Sequence, residues 1–241
     1  MKTCAEMSAA LDLLYNNIMS DKAPGLEEYE KSILLTQAQE GLVKDFFSPK
    51  TNALLEGFDG GARRQSDFAS LIDSIAPTVL PDGGSSTRFI FRSAARYYEY
   101  PKDIFIILNE EVRTIVDEKE NFLTVVPISF EEYSRLMKKP YKFPPKGQAW
   151  RLLSGGVMEL VGKFPSEDPG NIVDYTIRYV KRPEPIVLEA IPETRPAIEN
   201  VRTPQMCKLP EHLHDEIVQR AVLLAKVAWA DAVAPQAQQN K

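Results

Sequence analysis

Residues 103–126 read DIFIILNEEVRTIVDEKENFLTVV. Three short runs stand out in it: Asp103 to Leu108, Val112 to Val116 and Leu123 to Val126. They are rich in the β-branched and aromatic side chains that suit a pleated surface, and polar, turn-forming residues separate them. No helix of crossover length fits between the runs, so the strands must join mainly as antiparallel neighbours. Working outward, Phe89, Phe91 and the cluster Tyr97, Tyr98 and Tyr100 add strands on the N-terminal side. Gln148–Leu153, Val157–Phe164 and Val173–Val180 add strands on the C-terminal side, and Pro185–Leu188 could form a last one. A short helix is expected to interrupt them at Phe130–Met137.

The period changes to that of a helix on both flanks. Met7, Leu11, Leu14, Tyr15 and Ile18 fall at steps of three and four, which predicts a helix over about 4–20. Leu26, Tyr29, Ile33, Ala38, Leu42, Val43, Phe46 and Phe47 predict a second helix, ended by Pro49. Phe68, Leu71, Ile72 and Ile75 mark a third, stopped at Pro77. From Ile191 to Pro204 the prolines exclude helix, and an extended linker or arm used between subunits is expected. A last helix begins near Pro210, with Glu211 and Asp215 suited to its positive end. Leu213, Ile217, Ala221, Leu224 and Ala228 line one face of it; Val218, Val222, Ala225 and Trp229 widen that face, which therefore needs cover on more than one side. The tail from Pro235 to Lys241 is polar. The expected fold is α+β: an N-terminal helical region (1–80), a mainly antiparallel β region (81–190), an extended arm (191–209) and a C-terminal helix with its tail (210–241).

With 241 residues, 44% of them hydrophobic and 26% charged, the chain can bury a core without staples. Cys4 and Cys207 lie near opposite ends with no paired spacing, which suits a reducing compartment and neither a disulfide framework nor a zinc site. There is no run long enough for a membrane span and no signal-peptide core, so cytoplasmic synthesis is expected. The net charge of −5, with basic residues dispersed, argues against sequence-reading of DNA.

Known chemical motifs are missing. His212 and His214 are two apart, a spacing that points them to different sides of a helix, whereas a helical metal pair uses i and i+4. There is no GxSxG elbow for a hydrolase serine. The glycine loops at Gly60-Gly61 and Gly83-Gly84 lack phosphate-cradling spacing. Lys138, Lys139 and Lys142, interleaved with Tyr141, Phe143 and Trp150, are the nearest approach to a single-strand nucleic-acid patch, and the plainer reading is a proline-shaped loop whose aromatics pack on the sheet. No catalytic, cofactor-binding or metal-binding residue is assigned, and no cofactor is expected.

Two stretches carry a family resemblance: Asn16–Glu40 (NNIMSDKAPGLEEYEKSILLTQAQE) and Leu209–Val222 (LPEHLHDEIVQRAV). Between them, Val126–Tyr133, Lys139–Pro144 and Tyr179–Leu188 add to it. Together they resemble the virion structural proteins of crAss-like and related tailed phages of Bacteroidales. The resemblance implies a non-enzymatic subunit of a ring in the head-to-tail connector, stacked beneath the portal in the neck of the virion. Its implied partners are about 12 copies of itself in a closed ring, the portal and neighbouring tail or connector proteins, and DNA passing through the lumen without sequence-specific contact; no membrane is implied. Another virion component, such as a tail hub or internal protein, is the alternative, with a nucleic-acid-binding protein or a small-molecule enzyme behind it.

Overall fold

The computed structural model describes residues 2–18, 25–47, 66–80, 95–116, 119–138, 144–145, 147–162, 164 and 172–239. In chain order the elements are α1 (Cys4–Ile18), α2 (Glu28–Phe47), β1 (Ile72–Ile75), β2 (Ala95–Glu99), β3 (Ile104–Val116), β4 (Lys119–Pro127), α3 (Phe130–Met137), β5 (Gln148–Ser154), β6 (Val157–Val161), β7 (Ile172–Lys181) and α4 (Glu211–Gln239). The fold is α+β, with helices at both ends and a mixed sheet between them. The chain divides into two compact units, Ile72–Lys181 and the pair of flanks Met1–Leu71 with Arg182–Lys241.

The sheet unit has seven strands in the order β1-β7-β3-β4-β5-β6-β2. Every neighbouring pair is antiparallel except β4 with β5, whose connection runs through α3. Gly155 and Gly156, both at positive φ (54° and 85°), form the two-residue turn between β5 and β6, a conformation that glycine adopts without steric cost. The sheet curls until its edges meet. Past β1, the Leu80 N–H donates to the Tyr97 carbonyl (2.8 Å) and the Glu99 N–H donates to the Thr78 carbonyl (2.9 Å), bridging Val79 to Tyr98 of β2. That pairing covers an edge that would otherwise invite foreign strands.

Curling encloses a core of Tyr98, Val112, Val125, Met158, Leu160, Tyr175, Ile177 and Tyr179. The rings of Tyr98 and Tyr175 meet edge-on at 5.0 Å, although β2 and β7 are not neighbours in the sheet. Glu110 lies in this interior at 5% exposure. Arg151 Nε donates to its carboxylate at 2.9 Å, and the Tyr175 hydroxyl donates to it as well. The opposite face of β5 and β6 is covered by α3, where Tyr133 packs edge-on against Trp150, beside Leu152 and Val161. Ser129 starts α3 by accepting the Glu132 N–H at 3.1 Å, which satisfies a donor the first helical turn cannot use.

Two local expectations are corrected here. Ile72–Ile75, expected in a third helix, form β1 and pair with Val180 to Ile177 of β7; among the described residues of this stretch 66–71 are helical, ending in the 3-10 turn Ala69–Leu71. The spacing of the apolar residues fits a helix, but β-branched Ile72 and Ile75 gain more from pairing with the sheet. The runs 103–108 and 112–116 are one strand, β3, with irregularities between Ile104 and Asn109. Phe89 and Phe91 lie outside the described residues.

In the helical unit, α4 buries Leu213, Ile217, Val218, Ala221, Val222 and Ala225 alongside Met7 and Leu11 of α1 and Leu35, Ala38 and Leu42 of α2. Lys31 joins α1 to α2: its buried ammonium donates to Asp12 (2.6 Å), Glu28 (2.9 Å) and Ser8 (3.1 Å). Burial alone would lower its pKa, but the two carboxylates outweigh burial and hold it raised.

Residues 184–205 follow α2 closely. The Ile186 and Leu188 N–H groups donate to Thr36 and Ser32, and the Gln39 amide donates to the Glu184 carbonyl. These three polar residues of α2 thus act as a ladder for an extended segment, satisfying backbone groups that burial would otherwise leave unpaired. As its prolines require, 191–204 forms no helix; it doubles back, however, instead of running on as an arm. Val187 exchanges both hydrogen bonds with Gln205, the Ile191 N–H donates to the Arg202 carbonyl, and Glu199 and Asn200 turn at positive φ between Ile198 and Val201. Val187, Ile191 and Ile198 are buried with Tyr29 and Ile33 of α2. The gain is apolar burial that a free arm would forgo.

Candidate assembly surface

Helix α4 outruns its cover. Leu224 lies eleven residues beyond Leu213, close to three full turns, so both point the same way. Leu213 is buried, yet Leu224 is 36% exposed and Ala228, on the same side, is exposed too. Leu224 and Ala228 were expected on the buried stripe. Their direction is as expected, and their exposure is what differs. On the outward side Leu223 and Val227, at i and i+4, are 59% and 60% exposed. From Leu223 to Ala228 only Ala225 is buried, and Lys226 is an exposed cation between the apolar residues. The side chain of Trp229 lies outside those described, and the helix continues through Pro235 to Gln239, where a polar tail was expected.

A second feature is concave. Leu26, Tyr29, Ala190, Ile191 and Pro192 floor a groove of about 480 Å³ between the start of α2 and the folded-back segment. Its lining also includes Glu27, Glu28, Glu189 and Arg195. Arg195 pairs with Glu27 at 2.7 Å and lies over the Tyr29 ring at 5.2 Å. Glu28 is engaged by Lys31 and Ser8, whereas Glu189 is exposed.

The residues weighed for chemistry are dispersed. His214 is fully buried, with Nε2 2.9 Å from the Leu209 carbonyl oxygen. His212 points elsewhere, its Nε2 3.2 Å from Asp67. Cys207 donates to Gln39 Oε1 at 3.2 Å. Among the described residues no group of three or more His, Cys, Asp or Glu could hold a metal, and no helix is long and apolar enough to cross a membrane. Trp150 is buried beneath α3, which removes its ring from any stacking role; Lys139, Tyr141, Lys142 and Phe143 lie outside the described residues.

Burial pushes the Cys207 thiol up from 9.0 to about 11. Two consequences are expected. At mildly alkaline pH, alkylation of Cys207 in the native chain should be slower than in urea by at least about a hundredfold, since the thiolate fraction falls tenfold per unit. Because the folded value is the higher one, the thiol's contribution to stability is complete below the unfolded value of 9.0 and is lost as pH rises toward about 11. Peptide mass spectrometry after timed alkylation checks the first; equal rates in the two conditions would contradict it.

Comparison with known proteins gives these surfaces a context. Residues 1–237 match the family model described as phage tail ring protein 3/4. The chain is 42% identical over 226 residues, 93% of its own length and 92% of the relative's, to "Ring protein 4/5" of Bacteroides phage crAss001. It is 28% identical over 234 residues, 94% and 96% of the two lengths, to "Ring protein 3" of the same phage. A match across nearly the whole chain places this protein in the phage tail ring protein 3/4 family of virion structural proteins.

Proposed function

We propose that the protein is a non-enzymatic subunit of a closed ring in the head-to-tail connector, below the portal, around the passage that DNA takes. The observation that carries this reading is the middle of α4, where Leu223, Leu224, Val227 and Ala228 are exposed together. An apolar helix left in water costs free energy that a neighbouring subunit recovers. Closed cyclic assembly is the form a head-to-tail contact takes when its rotation closes, and a ring matched to a portal would hold about 12 copies. The acidic balance of the chain, −5 overall, suits a wall past which DNA slides without sticking.

Contacts too small to join two free subunits become strong when several engage at once, so a free chain of single-subunit mass is compatible with a ring on the particle. Quantitative peptide mass spectrometry of purified virions tests the reading. A copy number equal to that of the portal protein, or a simple multiple of it, is expected. One copy per particle, or absence from virions, would refute it.

A further inference from the structure

A ring excludes one use of the exposed α4 surface. A patch that pairs with its own copy closes at two subunits, so a ring needs two different, complementary patches on each chain. The chain has both. Leu223, Leu224 and Val227 form an apolar ridge carrying the exposed Lys226, and the groove at the start of α2 has an apolar floor of Leu26, Tyr29, Ala190, Ile191 and Pro192. Its rim carries Glu189, for which no partner is found among the described residues, beside the Glu27 and Glu28 carboxylates. One surface is convex and apolar with a cation on it; the other is concave, with apolar lining and the Glu189 carboxylate at its edge, Glu27 and Glu28 being already paired with Arg195 and Lys31.

We propose that the α4 ridge of one copy seats in the α2 groove of the next copy around the ring, with Lys226 facing Glu189. The proposal rests on the ring reading above and specifies which surfaces meet. It also gives the folded-back segment 184–205 a purpose. By pinning Ile191 and Pro192 against α2, that segment builds one wall of the receptor.

The test uses virions carrying a Val227→Cys, Ala190→Cys double variant, both positions being exposed in the subunit. Mild oxidation is expected to give a ladder of covalent dimers, trimers and higher species on non-reducing gels, with neither single variant doing so. The copy number is measured in the same virions. A normal copy number without a ladder overturns the proposal while leaving the ring intact, whereas a copy number of one removes the ring reading itself.

A charge exchange provides a second measurement should the cysteine variant fail to assemble. Lys226→Glu is expected to lower infectious titre at least about tenfold, the effect of one opposed charge being repeated at every contact. Adding Glu189→Lys to the same chain is expected to restore it. Equal titres for the single and double exchange variants would overturn the pairing.

Discussion

Ile217→Asp is expected to abolish the folded helical unit. Ile217 is fully buried on α4, and the substitution both empties that space and places a carboxylate out of reach of water. Losing a buried isoleucine costs about 2–5 kcal/mol, and burying an unpaired charge adds several more. The sum approaches the whole stability of an ordinary domain, about 5–15 kcal/mol. Circular dichroism should show lost cooperative melting, and virions should lack the protein. Leu224→Asp is the informative contrast. With water at that side chain, the free chain should melt within about 1 kcal/mol of the parent while its incorporation into virions falls. A parent-like melt for Ile217→Asp, or an unfolded Leu224→Asp chain, would contradict the packing described for α4.

The second large effect is expected inside the curled sheet. Glu110→Ala removes the acceptor shared by Arg151 and Tyr175, leaving a largely buried guanidinium and a buried hydroxyl without it. Breaking one side of a buried ion pair costs about 3–5 kcal/mol, because the remaining charge has lost its compensation. Burial first, and then the Glu110 charge, push the Tyr175 hydroxyl far above the ordinary phenol range, so it remains a donor at all working pH values. Replacing both partners with apolar residues, Glu110→Leu with Arg151→Met, should recover much of the loss. Urea unfolding followed by tryptophan fluorescence, with Trp150 on a neighbouring layer, measures each variant. A single variant as stable as the parent would show that the pair contributes nothing.

Much of the fold was legible because its elements carry strong periods. The strands around Val112, Val125, Trp150, Met158 and Ile177 are β-rich runs bounded by turn residues, α1 and α2 repeat at three and four, and Pro210 marks where α4 begins. The misread places are those where tertiary pairing overrides local pattern. Glu110 looks like part of a turn but points inward, because Arg151, 41 residues away, neutralises it. Ile72 and Ile75 fit a helix until a sheet edge claims them. Ser32, Thr36 and Gln39 read as a polar helix face, and nothing local shows that the backbone of 184–188 bonds to them.

The candidate surface was half legible. The width of the apolar stripe on α4 predicted a need for extra cover, but where the cover stops depends on the lengths and placement of α1 and α2. The groove could not be read at all, since it exists only because 191–204 doubles back onto Tyr29 and Ile33. The family resemblance, by contrast, lay in plain residue order across Asn16–Glu40 and Leu209–Val222, and a match over 1–237 bears it out.

An image reconstruction of the intact virion neck tests the ring assignment most directly. A closed ring of identical subunits is expected below the portal, each subunit showing a curled sheet and a helical unit, with α4 covered by its neighbour. A neck without such a ring, or this chain found there as a single copy, would contradict it.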